Sequence, residues 1–474
     1  INVFLTNYVA IGYTIDFIAL LLWVKILGSD RQYNSKIIWL MLILSNSILG
    51  IVMFISFGHN YKEATVYKKK QKTDKNFDQF YMKNEPLAFD GQFKQIVNNI
   101  GNSQFYHNTN FEVLQNGEEK FPKLMEVLQA AEDHILLESY IYSDGIIAKQ
   151  INDILIQKAT DGLAVRLLYD TVGSKGFSKS EKKRLTNAGV KVQSFANVLI
   201  PIFSDKINFR NHRKIVVVDN KYGMIGGHNI ADEYAGYDSK YGEWRDTHLF
   251  LEGEAVRELQ LAFARDWYYE TKENIAEESE IRYFQSHSVN NTNEEIQIVC
   301  TGPDNKSTSA EDLYFKLISS AKKEILIMTP YFVTDSDMVR ALRTAALNGV
   351  DVQIMLPGTA DNPLVHGVTR TYYLSLMKAG VKVYEKNNSF VHSKTLVIDG
   401  ELATIGTTNM DFRSFQLNFE ITGFILSKEI ATQLQERFYS DREKSTLNDL
   451  EKINSRNIAF TYIAKIIQFF SPLL

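Results

Sequence analysis

His212-Arg213-Lys214-Ile215-Val216-Val217-Val218-Asp219 has a counterpart in His392-Ser393-Lys394-Thr395-Leu396-Val397-Ile398-Asp399. Both lines read His-x-Lys-x-x-x-x-Asp, and their histidines stand 180 positions apart. The flanking words repeat in the same order. Ala188-Gly189-Val190-Lys191-Val192 precedes the first line, as Ala379-Gly380-Val381-Lys382-Val383 precedes the second. Asn229 and Asn409 each follow their histidine by 17 residues. Apolar strand patterns at 134–140 and 164–170, separated by helical patterns, are replayed near 320–327 and 348–356. Duplication at this spacing predicts two similar domains, not a solenoid of short units. The alternation predicts α/β architecture, with mixed sheets flanked by helices.

Residues 212–218 read as a strand, because Ile215 to Val218 is β-branched throughout. On a strand His212 and Lys214 share a face, and so do His392 and Lys394. Asp219 and Asp399 fall at an odd offset and open turns (Asp399-Gly400 is a strong hairpin signal), so the spacing assigns them to the fold. Glycines before each asparagine (Gly226, Gly227, Gly406) admit close approach of a ligand. Two repeats facing each other would surround one phosphate with two imidazoles, two ammonium groups and two amides. One imidazole is placed to attack phosphorus, and the other to protonate the leaving alcohol and activate the incoming one. Lysines and asparagines would stabilise the non-bridging oxygens. Such chemistry needs no metal or cofactor, and none is expected. Asp246 and Glu420 are the candidates for carboxylates that orient the histidines.

The chain has 474 residues, 45% hydrophobic, with a formal net charge of −4. That is ample for two domains, and it gives no global basic field that would favour nucleic acid. A single cysteine, Cys300, excludes an internal disulfide and fits a reducing compartment. Residues 37–57 form an uncharged run of 21, long enough to span a bilayer. Residues 9–27 are apolar apart from Asp16, a residue costly within hydrocarbon. A membrane hairpin is therefore expected. The following lysines (62, 68, 69, 70, 72 and 75) would hold the remainder on the cytoplasmic side and against anionic headgroups. The expected units are a membrane hairpin (1–60), a basic juxtamembrane linker (61–110), a first α/β domain (111–271), an inter-repeat linker (272–295), a second α/β domain (296–448) and an apolar C-terminal segment (449–474). Within the last, residues 458–470 suit either an interfacial helix or one packed on its own domain.

The doubled line resembles the HKD motif of the phospholipase D superfamily over residues 110–448. The second copy matches more fully, with Asp411-x-Arg413-Ser414 and Asn418-x-Glu420 following Asn409, and with Thr407 where serine is common. The superfamily counts His212, Lys214, Asp219, His392, Lys394 and Asp399 together as catalytic. Analogy with its members favours the first histidine, His212, as nucleophile. The apolar N-terminal pair, the lysine tract, Trp244-Arg245-Asp246-Thr247-His248 and Thr329-Pro330-Tyr331-Phe332 resemble the bacterial cardiolipin synthases. Those enzymes commonly carry methionine where this chain has His228, which is expected to be a tolerated neighbour. The resemblance implies two tandem phospholipase D-like domains on a multi-pass cell-membrane protein. It implies transfer of a phosphatidyl group between two phosphatidylglycerol molecules, giving cardiolipin and glycerol, through a phosphatidyl-histidine. The partners are then phosphatidylglycerol, cardiolipin and the membrane, with no nucleic acid. A membrane-bound phospholipase D transferring to water is the alternative, because the motif is the same. A nuclease lacks support from a basic, aromatic-lined domain. A non-catalytic lipid binder would not need both lines intact.

Overall fold

The computed structural model describes residues 2–29, 33–58, 70, 72, 74, 92–101, 103–196, 209–238, 240–275, 288–289, 294–304, 309–451 and 464–468. Its two halves carry the same seven strands in the same spatial order. In the first sheet these are Thr109–Gln115, Thr247–Gly253, Tyr222–Gly226, Ile215–Val218, His134–Ser139, Ala164–Asp170 and Lys191–Phe195. In the second they are Glu295–Thr301, Glu420–Leu426, Leu402–Gly406, Thr395–Ile398, Glu324–Met328, Asp351–Pro357 and Lys382–Lys386. Phe105–Tyr106 and Ser445–Leu447 extend the second sheet at its edges. The last three strands of each seven run parallel, joined by helical crossovers, and the others are antiparallel. This is the mixed α/β duplication that the repeats predict.

The sheets do not stand apart. One buried cluster takes Ile215, Val217, Ile225 and Leu249 from the first repeat and Ile298, Val397, Ile405 and Ile421 from the second. Each repeat has its own outer core, centred on Leu124, Ile151 and Leu167 in one and Leu313, Val352 and Tyr373 in the other. Part of the stretch expected to be linker joins the second of these. Gln92–Gly101 is an amphipathic helix whose Phe93, Ile96 and Val97 are buried there, and Phe105–Tyr106 pairs with Ile296 and Gln297.

Asp219 and Asp399 hold turns. Asp219 (φ 55°) and Asn220 (φ 51°), and likewise Asp399 (φ 56°) and Gly400 (φ 69°), take the left-handed conformations of a tight hairpin. The Asp219 carboxylate accepts from the backbone N–H groups of Glu132 (2.8 Å), Asp133 (2.9 Å) and His134 (2.8 Å). Asp399 accepts from those of Lys322, Lys323 and Glu324 at 2.7–3.1 Å. Each aspartate thus fastens the turn that leads into the neighbouring strand, His134–Ser139 or Glu324–Met328, which runs antiparallel to its own. Asp219→Ala leaves three N–H donors without their acceptor, a loss of about 2–4 kcal/mol. Thermal unfolding should therefore begin several degrees lower in this variant, while activity per folded molecule stays within a few fold of the parent.

At the N-terminus Asn2–Leu27 is one helix, and its Ala10–Leu27 portion is long and apolar enough to cross a membrane. The run expected as one span over 37–57 is divided. Tyr33–Ser45 and Ser47–Phe57 are separate helices, with Asn46 extended (φ −156°) and its side chain accepting from Leu49 N–H. An asparagine cap starts a helix and so interrupts the one before it. The two halves fold back on each other, with Trp39 edge-on to Phe54 at 5.2 Å and Ile43 against Gly50, where any side chain would collide with the Ile43 backbone. One helix, not two, is thus of spanning length among the described residues.

Of the lysine tract, 62, 68, 69 and 75 lie outside the described residues, and Lys72 is exposed. Lys70 is buried, and its Nζ pairs with Asp74 (2.7 Å), Asp304 (2.9 Å) and Asp266 (3.1 Å). It thus fastens the segment that follows the N-terminal helices to the folded body. Most of 272–295 and of 449–474 also lies outside the described residues. Residues 464–468 are helical and packed on the second repeat, where Gln468 accepts from Thr371 (2.8 Å) and Ile467 meets the core.

Candidate active site

The two histidine lines leave their sheets before the strands begin. Strand geometry starts only at Ile215 and Thr395, and the residues ahead of it pair with the opposite repeat. His212 N–H donates to Phe419 O (3.0 Å), and Phe419 N–H donates to Arg210 O (2.9 Å). Ser389–Val391 pairs in parallel with Glu243–Arg245, and His392 N–H donates to Arg245 O (2.7 Å). The partner backbones run directly into Glu420 and Asp246. Each histidine is consequently oriented by the other repeat's carboxylate. His212 Nδ1 lies 2.9 and 3.0 Å from the two Glu420 oxygens, and His392 Nδ1 lies 2.6 Å from Asp246 Oδ2. A carboxylate only accepts, so both Nδ1 atoms carry the proton and both Nε2 atoms keep a lone pair.

Those imidazoles line one cavity of about 630 Å³ together with Asn229, Asn409, Tyr140, Tyr234, Trp244, Phe390 and the guanidinium-bearing Arg210 and Arg413. Tyr140 packs edge-on against His212 (4.9 Å), and Tyr234 against His392 (5.4 Å). Aromatic side chains thus pack on both imidazoles. Burial pushes the His212 imidazole down to about 4 and His392 to about 3, so both rest neutral. Around Asp246 burial opposes ionisation, but His228, His392 and Lys394 prevail and hold its carboxyl well below the usual range. Glu420 is likewise held down, with His212 and Lys214 overcoming its burial. Thr407 Oγ1 (2.5 Å) and Asn418 Nδ2 (3.2 Å) also donate to Glu420. At the place corresponding to Thr407 stands Gly227, where a Cβ would sit on the Asp246 carboxylate.

Lys214 and Lys394 are both buried, with Nζ donating to the carbonyl of their own histidine (2.7 Å for Lys214). Burial and mutual repulsion push Lys214 down to about 7, and burial brings Lys394 to about 8. An anionic phosphodiester above them would favour their charged forms. As pH rises through 7–8 the free protein loses these charges, so KM for an anionic lipid should rise several fold between pH 7 and pH 9. Steady-state kinetics on vesicles of fixed composition would measure this, and a flat profile would contradict it.

Asn229 accepts from Ile141 N–H (3.0 Å) and donates to Tyr234 Oη (2.6 Å), while Asn409 bonds Asp411. Both amides line the cavity and are tied to its walls. His228 is not a cavity residue; it lies behind Asp246, between Phe121 (6.2 Å) and His248 (5.5 Å), and burial pushes it down to about 4. Lys120, whose burial lowers it to about 7, shares that space. The sequence reading missed Tyr140 and Arg210. Arg210 stands two residues before His212 with no motif to mark it.

Paired repeats that share one site, each supplying the imidazole that the other's carboxylate orients, define a phospholipase D-like enzyme. The family model described as cardiolipin synthase, PLD-like domain, matches residues 124–267 and 314–442. A cardiolipin synthase of Halalkalibacterium halodurans is 38% identical over 98% of this chain and 93% of its own length. The major cardiolipin synthase of Bacillus subtilis is 35% identical over 96% and 97%. The chain belongs to the cardiolipin synthase family. The fold is shared with the solved phosphatidylserine synthase of Haemophilus influenzae, which is 16% identical with a TM-score of 0.61 over 80% of this chain and 97% of that one.

Proposed function

We propose that this enzyme makes cardiolipin from two phosphatidylglycerol molecules through a covalent phosphatidyl-histidine. The observation that carries the reading is the crossed arrangement of His212 with Glu420 and His392 with Asp246 around one cavity. One Nε2 attacks phosphorus; the other imidazole, neutral in the free enzyme, takes up a proton at Nε2 as the anionic substrate binds and gives it to the glycerol oxygen as the P–O bond breaks. A hydroxyl of the second lipid then attacks the adduct. The P–N bond breaks, and the hydroxyl proton passes to the imidazole that acted as acid. Lys214 and Lys394 support the phosphate from below, and Asn229 and Asn409 border it. The apolar N-terminal helices attach the enzyme to the cell membrane, with the catalytic repeats on the cytoplasmic side. Purified enzyme given labelled phosphatidylglycerol should yield labelled cardiolipin and free glycerol in equal amounts. Phosphatidic acid as the sole product would establish a hydrolase instead.

A further inference from the structure

The reacting centre obeys the two-fold relation of the repeats, whereas the cavity walls break it. In the alignment that equates His212 with His392, Arg210 corresponds to Phe390 and Glu233 to Arg413, and all four line the cavity. The His212 end therefore carries two guanidinium groups near Tyr140, with Asp411 beside Arg413, while Phe390 and Glu233 take their places at the other end. The carboxylates beside the arginines are partly engaged elsewhere. Asp170, 3.5 Å from Arg210, accepts from the N–H groups of Val172, Gly173 and Asn211, and Asp411 caps Ser414 N–H. Burial costs dominate at Arg413, whose guanidinium is pulled below its usual range.

Transfer chemistry demands such an inequality. The two imidazoles, two lysines and two asparagines address one phosphate, the one that changes partners. The accepting phosphatidylglycerol brings a second phosphodiester, one glycerol unit from its attacking hydroxyl, which remains an anion throughout. Water and free glycerol bring none. We propose that Arg210 and Arg413 form a second anion subsite, which holds the phosphodiester of the acceptor lipid and so directs the phosphatidyl group to another lipid. Planar guanidinium groups suit bidentate contact with a phosphodiester. Glu233 at the matching position repels a second anion from the other end and gives acceptor binding one direction. This inference rests on the cardiolipin synthase reading.

The test is a competition within one reaction. The full chain, in phosphatidylglycerol vesicles with labelled free glycerol, partitions its intermediate between lipid acceptor (cardiolipin) and glycerol acceptor (labelled phosphatidylglycerol). Arg413→Gln should lower the ratio of cardiolipin to labelled phosphatidylglycerol at least about tenfold, and Arg413→Lys, which keeps the charge but not the planar fork, should restore part of it. Glycerol exchange itself reports that the variant is folded. An unchanged ratio, or a parallel loss of both products in Gln and Lys variants alike, would overturn the subsite. A parent enzyme that exchanges glycerol but forms no cardiolipin would instead refute the underlying function.

Discussion

Replacing either His212 or His392 with alanine is expected to reduce phosphatidyl transfer by at least about a thousandfold, and replacing both should cost scarcely more than replacing one. The two imidazoles act in one sequence: a covalent intermediate cannot form without the nucleophile, and it cannot form productively without the acid. Their equivalence in geometry, neutral Nε2 atoms facing one cavity, makes the two single losses similar in kind. The variants nevertheless differ in what survives. The variant that keeps the nucleophile can still form its adduct slowly from a donor with a good leaving group, such as a p-nitrophenyl phosphodiester, whereas the other cannot. Rates with that donor and with phosphatidylglycerol, measured side by side, would check both points. Activity within tenfold of the parent in either variant would remove the histidine pair from the chemistry.

The second large effect is expected at the carboxylates. Asp246→Asn should lower the rate by about 10²–10⁴ while leaving the fold intact, because the amide is isosteric but can donate. An amide NH₂ at position 246 donating to His392 Nδ1 forces the ring proton to Nε2, which removes the lone pair facing the substrate. Glu420→Gln should do the same to His212, with Thr407 and Asn418 retaining the side chain in place. The crossed geometry makes a particular demand. Asp246→Asn must change the titration of His392, in the second repeat, and leave that of His212 nearly unaltered; Glu420→Gln must do the reverse. Histidine ring NMR over a pH series would follow each ring. A change confined to the histidine of the mutated repeat would contradict the pairing.

Much of this was legible in the sequence for identifiable reasons. The duplicated words around residues 188 and 379 specify duplicated strands, and β-branched runs such as Ile215 to Val218 specify where they lie. Asp219 and Asp399 could be assigned to turns because the odd offset and Asp-Gly chemistry are local. The carboxylates could be nominated but not matched, since pairing depends on how two repeats face each other, and no local pattern encodes that. The uncharged run over 37–57 satisfied the length of a span, but Asn46 caps a new helix midway and turns the chain back. Arg210 and Arg413 gain meaning only when set beside Phe390 and Glu233 across the repeats.

The central claim is a phosphatidyl group carried on a histidine of one repeat and released to a second lipid with help from the other. The most direct measurement is mass spectrometry of enzyme quenched within a turnover of phosphatidylglycerol, with peptides covering residues 212 and 392 compared. The expected result is an acid-labile phosphatidyl adduct on one of these two histidines, which disappears as cardiolipin forms. Cardiolipin formation at full rate with neither histidine ever modified would contradict it.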